Sequence, residues 1–191
     1  MITTLKELRT YIKADRERYG YTLRKYIIGK LFFMEYSRAI HLLYNLRLCE
    51  YAKNCSRKSP LHTLFYLIIR WNYQRLQLKY NTFISLNTCG YGLYIPHLGG
   101  VIVNCKSMGT NCSVTAGVVI GNKAGQDNRA IIGNNCYFTL GCKVIGKVHI
   151  GNNCIVCQNS VVVKDVSDNS IVSGVPAKTI KKIDNFFEIK I

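Results

Sequence analysis

Two kinds of hydrophobic spacing divide the chain. Through residues 23–48 and 61–78, apolar positions fall at mixed intervals of three and four, with Arg and Lys between them. That spacing predicts amphipathic helices. Residues 54–60, Asn-Cys-Ser-Arg-Lys-Ser-Pro, interrupt it and predict a turn between two helices. The most apolar piece, residues 61–69, ends at Arg70. It is far shorter than the roughly 20 residues of a membrane-spanning helix. From Met108 the interval becomes six. Met108, Val114 and Ile120 mark it, and Ile132, Phe138, Val144, Ile150, Val156 and Val162 continue it without a slip. The intervening phase, at Gln126, lies in the polar run 121–129. Turn formers Asn122, Asn134, Gly146 and Asn152 stand two places after a mark. A fixed hexad predicts a coil in which each repeat supplies one short strand and one corner. Stacked turns then bury what no single hexad can.

The hexad also accounts for an unusual cysteine content. Nine cysteines in 191 residues would suit a disulfide scaffold or a metal site. Four of them, Cys112, Cys136, Cys142 and Cys154, fall four places after an apolar mark, in phase with Val118, Val148, Ser160 and Val166. A coil corner needs a small inward side chain, and a free thiol serves as one. Cys154 and Cys157 form the one C-x-x-C pair, on different phases, so no metal is expected. No N-terminal apolar run with a small-residue cleavage site is visible, so the expectation is a cytoplasmic protein with reduced thiols.

A hydrophobic content of 48% excludes a disordered chain, and the net charge of +16 predicts an anionic partner. The charge is uneven. Residues 1–91 carry 16 Lys/Arg against 5 Asp/Glu, and residues 92–191 carry 10 against 5. No recognition-helix or RNA-binding signature accompanies it, so nucleic acid is not expected. The basic helices suit peripheral contact with an anionic membrane, at its inner face.

The repeats Ile132-Gly-Asn-Asn-Cys136 and Ile150-Gly-Asn-Asn-Cys154, and the ending Asp168-Asn-Ser-Ile-Val-Ser-Gly-Val-Pro-Ala-Lys178, resemble the hexapeptide-repeat acyltransferases. The run Gly92-Leu-Tyr-Ile-Pro-His97-Leu-Gly-Gly100 is similar to the catalytic context of the serine acetyltransferase branch. The resemblance implies a mainly β protein: a left-handed parallel β-helix of hexapeptide repeats preceded by an α-helical region. The expected division is a basic helical region at 1–80, the β-helix at 81–178 and a tail at 179–191. It further implies acetyl-CoA as co-substrate, a homotrimer, and His97 as general base. Two departures stand out. The branch has an Asp before the catalytic His, where this chain has Pro96, and a second His where this chain has Arg129. These departures favour O-acetylation of a sugar or surface polysaccharide. Serine O-acetylation for cysteine biosynthesis is the alternative, and a non-catalytic membrane-docked trimeric scaffold is the second.

Acetyl transfer to a hydroxyl needs a base, an oxyanion donor and cationic or N–H partners for the coenzyme phosphates. A neutral imidazole suits the first role. His149, in the sixth position of its hexad, is expected to face solvent, and His41 and His62 belong to the helices. Asn87, Asn104 and Asp127 are candidates to orient His97. With Arg129 they are also the acceptor and oxyanion candidates. Matching to the family places Gly121 and Asn122 at the acetyl end, and Leu140, Gly141, Gln158 and Asn159 along the pantetheine. Lys178, Lys181 and Lys182 are the candidates for the coenzyme phosphates. A zinc site of three histidines is not expected, since this half has only His97 and His149.

Overall fold

The computed structural model describes residues 1–56, 59–123 and 128–183. Four helices come first: α1, Leu5–Glu17; α2, Leu23–Leu31; α3, Glu35–Cys55; and α4, Pro60–Tyr80. Three of their starts have a clear local cause. Thr4 and Glu7 form a reciprocal capping box on α1. Thr22 accepts from the Lys25 N–H, and Ser59 accepts from the His62 N–H just ahead of Pro60. The run 23–48 is divided rather than one helical stretch. Phe33 takes φ 55°, and the Met34 N–H donates to the Gly29 carbonyl at 2.7 Å, so α2 closes in a left-handed turn before α3 begins. Residues 54–60 do contain the turn from α3 to α4. No described helix is long and apolar enough to cross a membrane.

A buried charge cluster fastens the helices to the strands. Arg47 of α3 has no exposed surface. Its Nε donates to Asp15 of α1 at 2.8 Å and its Nη1 to Glu50 at 3.0 Å. The same guanidinium donates to the carbonyls of Cys89 and Gly90 at 2.9 and 2.6 Å. Both carboxylates also receive backbone N–H groups, Asp15 from Leu93 and Glu50 from Asn87. Burial alone would favour neutral arginine, but the two carboxylates outweigh it and hold its pKa above the usual value.

From Thr82 onward the chain winds into a coil with three strand-bearing sides. The strands are β1, Thr82–Ile84; β2, Val101–Val103; β3, Ser107–Met108; β4, Ser113–Val114; β5, Val119–Gly121; β6, Ile131–Ile132; and β7, Tyr137–Phe138. They continue with β8, Lys143–Ile145; β9, His149–Ile150; β10, Ile155–Val156; β11, Val161–Val162; β12, Ser170–Gly174; and β13, Ala177–Lys182. One sheet runs β1-β2-β5-β8-β11, the second β3-β6-β9, and the third β4-β7-β10-β12-β13. All pairs are parallel except β12 with β13. This is the left-handed parallel β-helix after a helical region. β13 folds back on β12 and runs through residue 178, where the sequence reading sets its last boundary.

Every hexad mark from Met108 to Val162 is the buried second residue of its strand. Val114 pairs with Phe138, 24 residues on, whereas Phe138 pairs with Val156, 18 residues on. The longer turn holds one hexad more, between β5 and β6, which is why the spacing keeps its phase. The cysteines on the corner phase are buried and free, and Cys136 donates to the Gly151 carbonyl at 3.1 Å. The left-handed corner lies three places after most marks. Asn111, Gly117, Asn135, Gly141, Asn153 and Asn159 all have φ between 54° and 71°, while Gly146, two places after its mark, takes φ 94°. The asparagines two places on use their side chains instead. Asn152 Oδ1 accepts from the Asn134 N–H, and Asp168 Oδ1 from the Asn152 N–H, each at 2.8 Å.

Candidate active site

His97 stands at an irregular corner. Eight positions take the chain from Tyr94 to Ile102, against six between their register partners Ser113 and Val119, and six again from Tyr137 to Lys143 and Ile155 to Val161. The two extra residues lie in the Pro96–Gly99 loop. Upstream the loop is anchored at buried Ile95, whose N–H donates to the Tyr19 hydroxyl at 2.9 Å while that hydroxyl donates to the Ile95 carbonyl at 3.0 Å. Downstream, Gly99 and Gly100 turn at φ 102° and 66°, conformations open to glycine. The Gly99 N–H donates to Thr82 Oγ1 at 3.2 Å.

The histidine is paired with a carboxylate from the helices. Glu35, the first residue of α3, places Oε2 3.2 Å from His97 Nδ1. Its Oε1 accepts the Leu98 N–H at 2.7 Å. One carboxylate therefore grips both the ring and the backbone beside it. The imidazole side chain remains 60% exposed. With Nδ1–H directed at Glu35, Nε2 keeps its lone pair for an incoming proton. The sequence offers Asn87, Asn104 and Asp127 for this orienting role. Asn87 instead exchanges side-chain hydrogen bonds with Asn54 and donates its N–H to Glu50, so it joins helix to coil. Asn104 meets Ser85 at 3.4 Å, away from the ring. Asp127 lies outside the described residues.

Below His97 a column of tight corners descends the coil. Gly117 N–H donates to the Gly99 carbonyl, Gly141 N–H to that of Ala116, and Asn159 N–H to that of Leu140, at 2.9–3.0 Å. The structure thus aligns Leu140, Gly141, Gln158 and Asn159 on the edge that begins beside His97. A Cβ on Gly117 would lie 3.3 Å from the Gly141 Cα, so small residues keep this edge close-packed. Lys143, which sequence reasoning missed, donates to the Gly117 and Gly141 carbonyls at 2.6 and 3.0 Å. Nothing in its hexad position marks it. Lys178 pairs opposite Ser173, next to Gly174, whose N–H donates to Ser160 Oγ at the foot of the column. Lys181 pairs opposite Ile171 and is exposed. Lys182 donates its ammonium to Ser167, Ser170 and the Asp168 carbonyl at the end of the coil.

The remaining candidates lie at another corner. Gly121 ends β5 and accepts the Gly146 N–H, and Asn122 follows it. Arg129 and Asn104 line an open groove of about 540 Å3 with Lys53, Arg70 and Gln77 of the helices. Within one chain, then, the first sheet separates the Arg129 groove from the His97 corner. His149 is exposed, His62 meets the capping Ser59, and His41 belongs to a separate cleft.

A left-handed β-helix with a histidine–carboxylate pair at an outer corner is the class that fold and site define. No family model matches the chain. Among curated relatives, a serine acetyltransferase of Synechococcus elongatus is 33% identical over 94 residues, 48% of this chain and 38% of that protein. A serine acetyltransferase of Buchnera aphidicola subsp. Schizaphis graminum is 30% identical over 131 residues, 60% of this chain and 50% of that protein. The chain therefore spans half or less of these curated relatives. The crystal structure of Neisseria gonorrhoeae serine acetyltransferase superposes with a TM-score of 0.75 at 23% identity, covering 95% of this chain and 69% of that one. A serine acetyltransferase in complex with CoA gives 0.71 at 18% identity, covering 92% and 71%. At those identities the structures show the fold.

These findings correct the sugar acceptor expected from the sequence. The relatives are serine acetyltransferases, the reading held as the alternative. The expectation rested on a carboxylate missing at Pro96 and a second histidine replaced by Arg129. Glu35 brings a carboxylate back to His97 from another element, 62 residues away, so the loop motif alone misjudges the acid content of the site.

Proposed function

We propose that this protein is an acetyl-CoA-dependent O-acetyltransferase with L-serine as acceptor. The observation that carries the chemistry is the His97–Glu35 pair, which leaves Nε2 as a base at an exposed corner. The acceptor follows the relatives, whose names carry that activity. Nε2 takes the serine hydroxyl proton as the oxygen attacks the thioester carbonyl, forming the new C–O bond. The tetrahedral oxyanion collapses, the C–S bond breaks, and the imidazolium returns its proton to the departing thiolate. Glu35 stabilises that imidazolium and holds the ring in place.

The corner column from Gly99 to Asn159 serves as the wall for the pantetheine, with backbone groups close to the surface at Gly117 and Gly141. Lys178 at its foot is the candidate for a coenzyme phosphate. Because Arg129 and Asn122 lie across the first sheet from His97, the complete site forms between neighbouring chains of a cytoplasmic homotrimer. Light scattering at the monomer mass of 21.7 kDa would refute that arrangement.

Purified protein should release CoA thiol from acetyl-CoA when L-serine is added. His97→Ala should lower this release at least about a hundredfold, and Glu35→Gln about 10- to 100-fold. Unchanged turnover in His97→Ala would overturn the general-base role. Thiol release that ignores serine would overturn the acceptor.

A further inference from the structure

We infer that the α2–α3 joint is a docking surface for an anionic lipid bilayer. α2 is weakly anchored: Gly29 is its one buried residue, and the Tyr36 ring occupies the space a side chain there would need. Leu23, Ile27 and Leu31 recur every fourth position on one exposed stripe. Phe32, Phe33 and Met34 continue the exposed apolar surface past the helix end. Phe33 is 74% exposed and sits at φ 55°, where helix ends ordinarily carry glycine. A bulky side chain in that conformation is strained. The chain holds an aromatic ring in solvent against its own backbone preference, as function-bearing positions do.

The charge around this stripe has one sign. Residues 18–34 contain Arg18, Arg24, Lys25 and Lys30 and no Asp or Glu. The next carboxylate, Glu35, is turned to His97. Lys30 also lines a cleft of about 500 Å3 with Arg38, Lys79, His41, Tyr26 and Phe33, and no carboxylate lines it. Burial first, and then Lys30 and Lys79, hold His41 below its ordinary pKa. Apolar side chains that insert, set among cations that meet phosphate, form an interfacial anchor. A second copy of this chain on the same face would set cation against cation, and a neutral partner would leave the cations unmatched.

The test is cosedimentation of the whole protein with vesicles of phosphatidylcholine alone, or with about a third phosphatidylglycerol. Binding should require the anionic lipid and weaken with added salt. Lys30→Glu with Arg38→Glu should reduce it at least about tenfold. Phe33→Gly should reduce it while raising the melting temperature, because glycine accepts that backbone conformation. A merely structural Phe33 would not show those opposite shifts. Equal binding to neutral vesicles, no binding to either, or self-association abolished by Phe33→Gly would overturn the proposal.

Discussion

The helical region and the coil are stabilised in opposite ways. In the coil every contact is one of a series. Asn135 donates to Asn153 and Asn153 to Asn169, while Ile132 stacks on Ile150, Phe138 on Val156 and Val144 on Val162 at successive levels of one core. The helices depend on single contacts. One guanidinium, Arg47, joins α1 and α3 to the carbonyls of Cys89 and Gly90. A repeated contact can be lost at one level while its neighbours persist. A singular one has no substitute. The candidate site draws on both, with His97 from the coil and Glu35 from the helices.

Replacing Arg47 is the strongest way to break the contrast. Arg47→Met should destabilise the protein by about 3–5 kcal/mol, because it leaves two buried carboxylates without their counter-charge. Thermal unfolding would measure it, with loss of the tyrosine signals of the helical region ahead of the coil. In the coil, Asn153→Ala replaces an asparagine, which tolerates φ 56°, with a residue that does so less readily, and removes two ladder hydrogen bonds. That should cost only about 1–2 kcal/mol in a denaturant titration. Equal losses from the two substitutions would abolish the distinction.

The smallest expected effect concerns acid. Hydrogen bonds from the Thr3 N–H first, then the Thr3 hydroxyl and the Thr4 N–H, pull the Glu7 pKa down to about 2. A depressed carboxylate pKa stabilises the fold above the unfolded value of 4.5 and loses that contribution as pH falls toward 2. The stability difference between the native chain and Glu7→Gln should therefore be constant near neutrality and vanish by about pH 2. Melts by circular dichroism across that range would measure it. A difference that persists in acid would assign the cap to geometry rather than charge.

Much of the coil was legible in the sequence because a period of six repeats one local geometry, and each repeat reports the same burial. The marks, the cysteine phase and the extra hexad between β5 and β6 all follow from that. Two of the corners lie one residue beyond the expected turn formers, since Asn stands at both the second and third places in Asn134-Asn135 and Asn152-Asn153, whereas Gly146 turns where expected. The helix break at Phe32–Met34 was hidden, because a phenylalanine stands where a left-handed turn would show glycine. His97 could be found from its glycine context. Glu35 could not, as no spacing connects residues on a helix and a loop far apart in sequence.

The sequence by itself therefore determined the coil, its core positions, the filler role of its cysteines and the single histidine at its glycine-rich corner. Those are local or periodic properties, written afresh in each repeat. Tertiary structure alone decided which carboxylate meets that histidine, which cation closes the coil, and that Arg129 and His97 lie on different corners. The last two depend on the winding of the coil itself, and the first on how α3 packs against the first turn of the coil. That packing is set by a buried cluster of Asp15, Arg47 and Glu50, in which Asp15 lies 32 residues from Arg47 and all three are indistinguishable in sequence from ordinary surface charges.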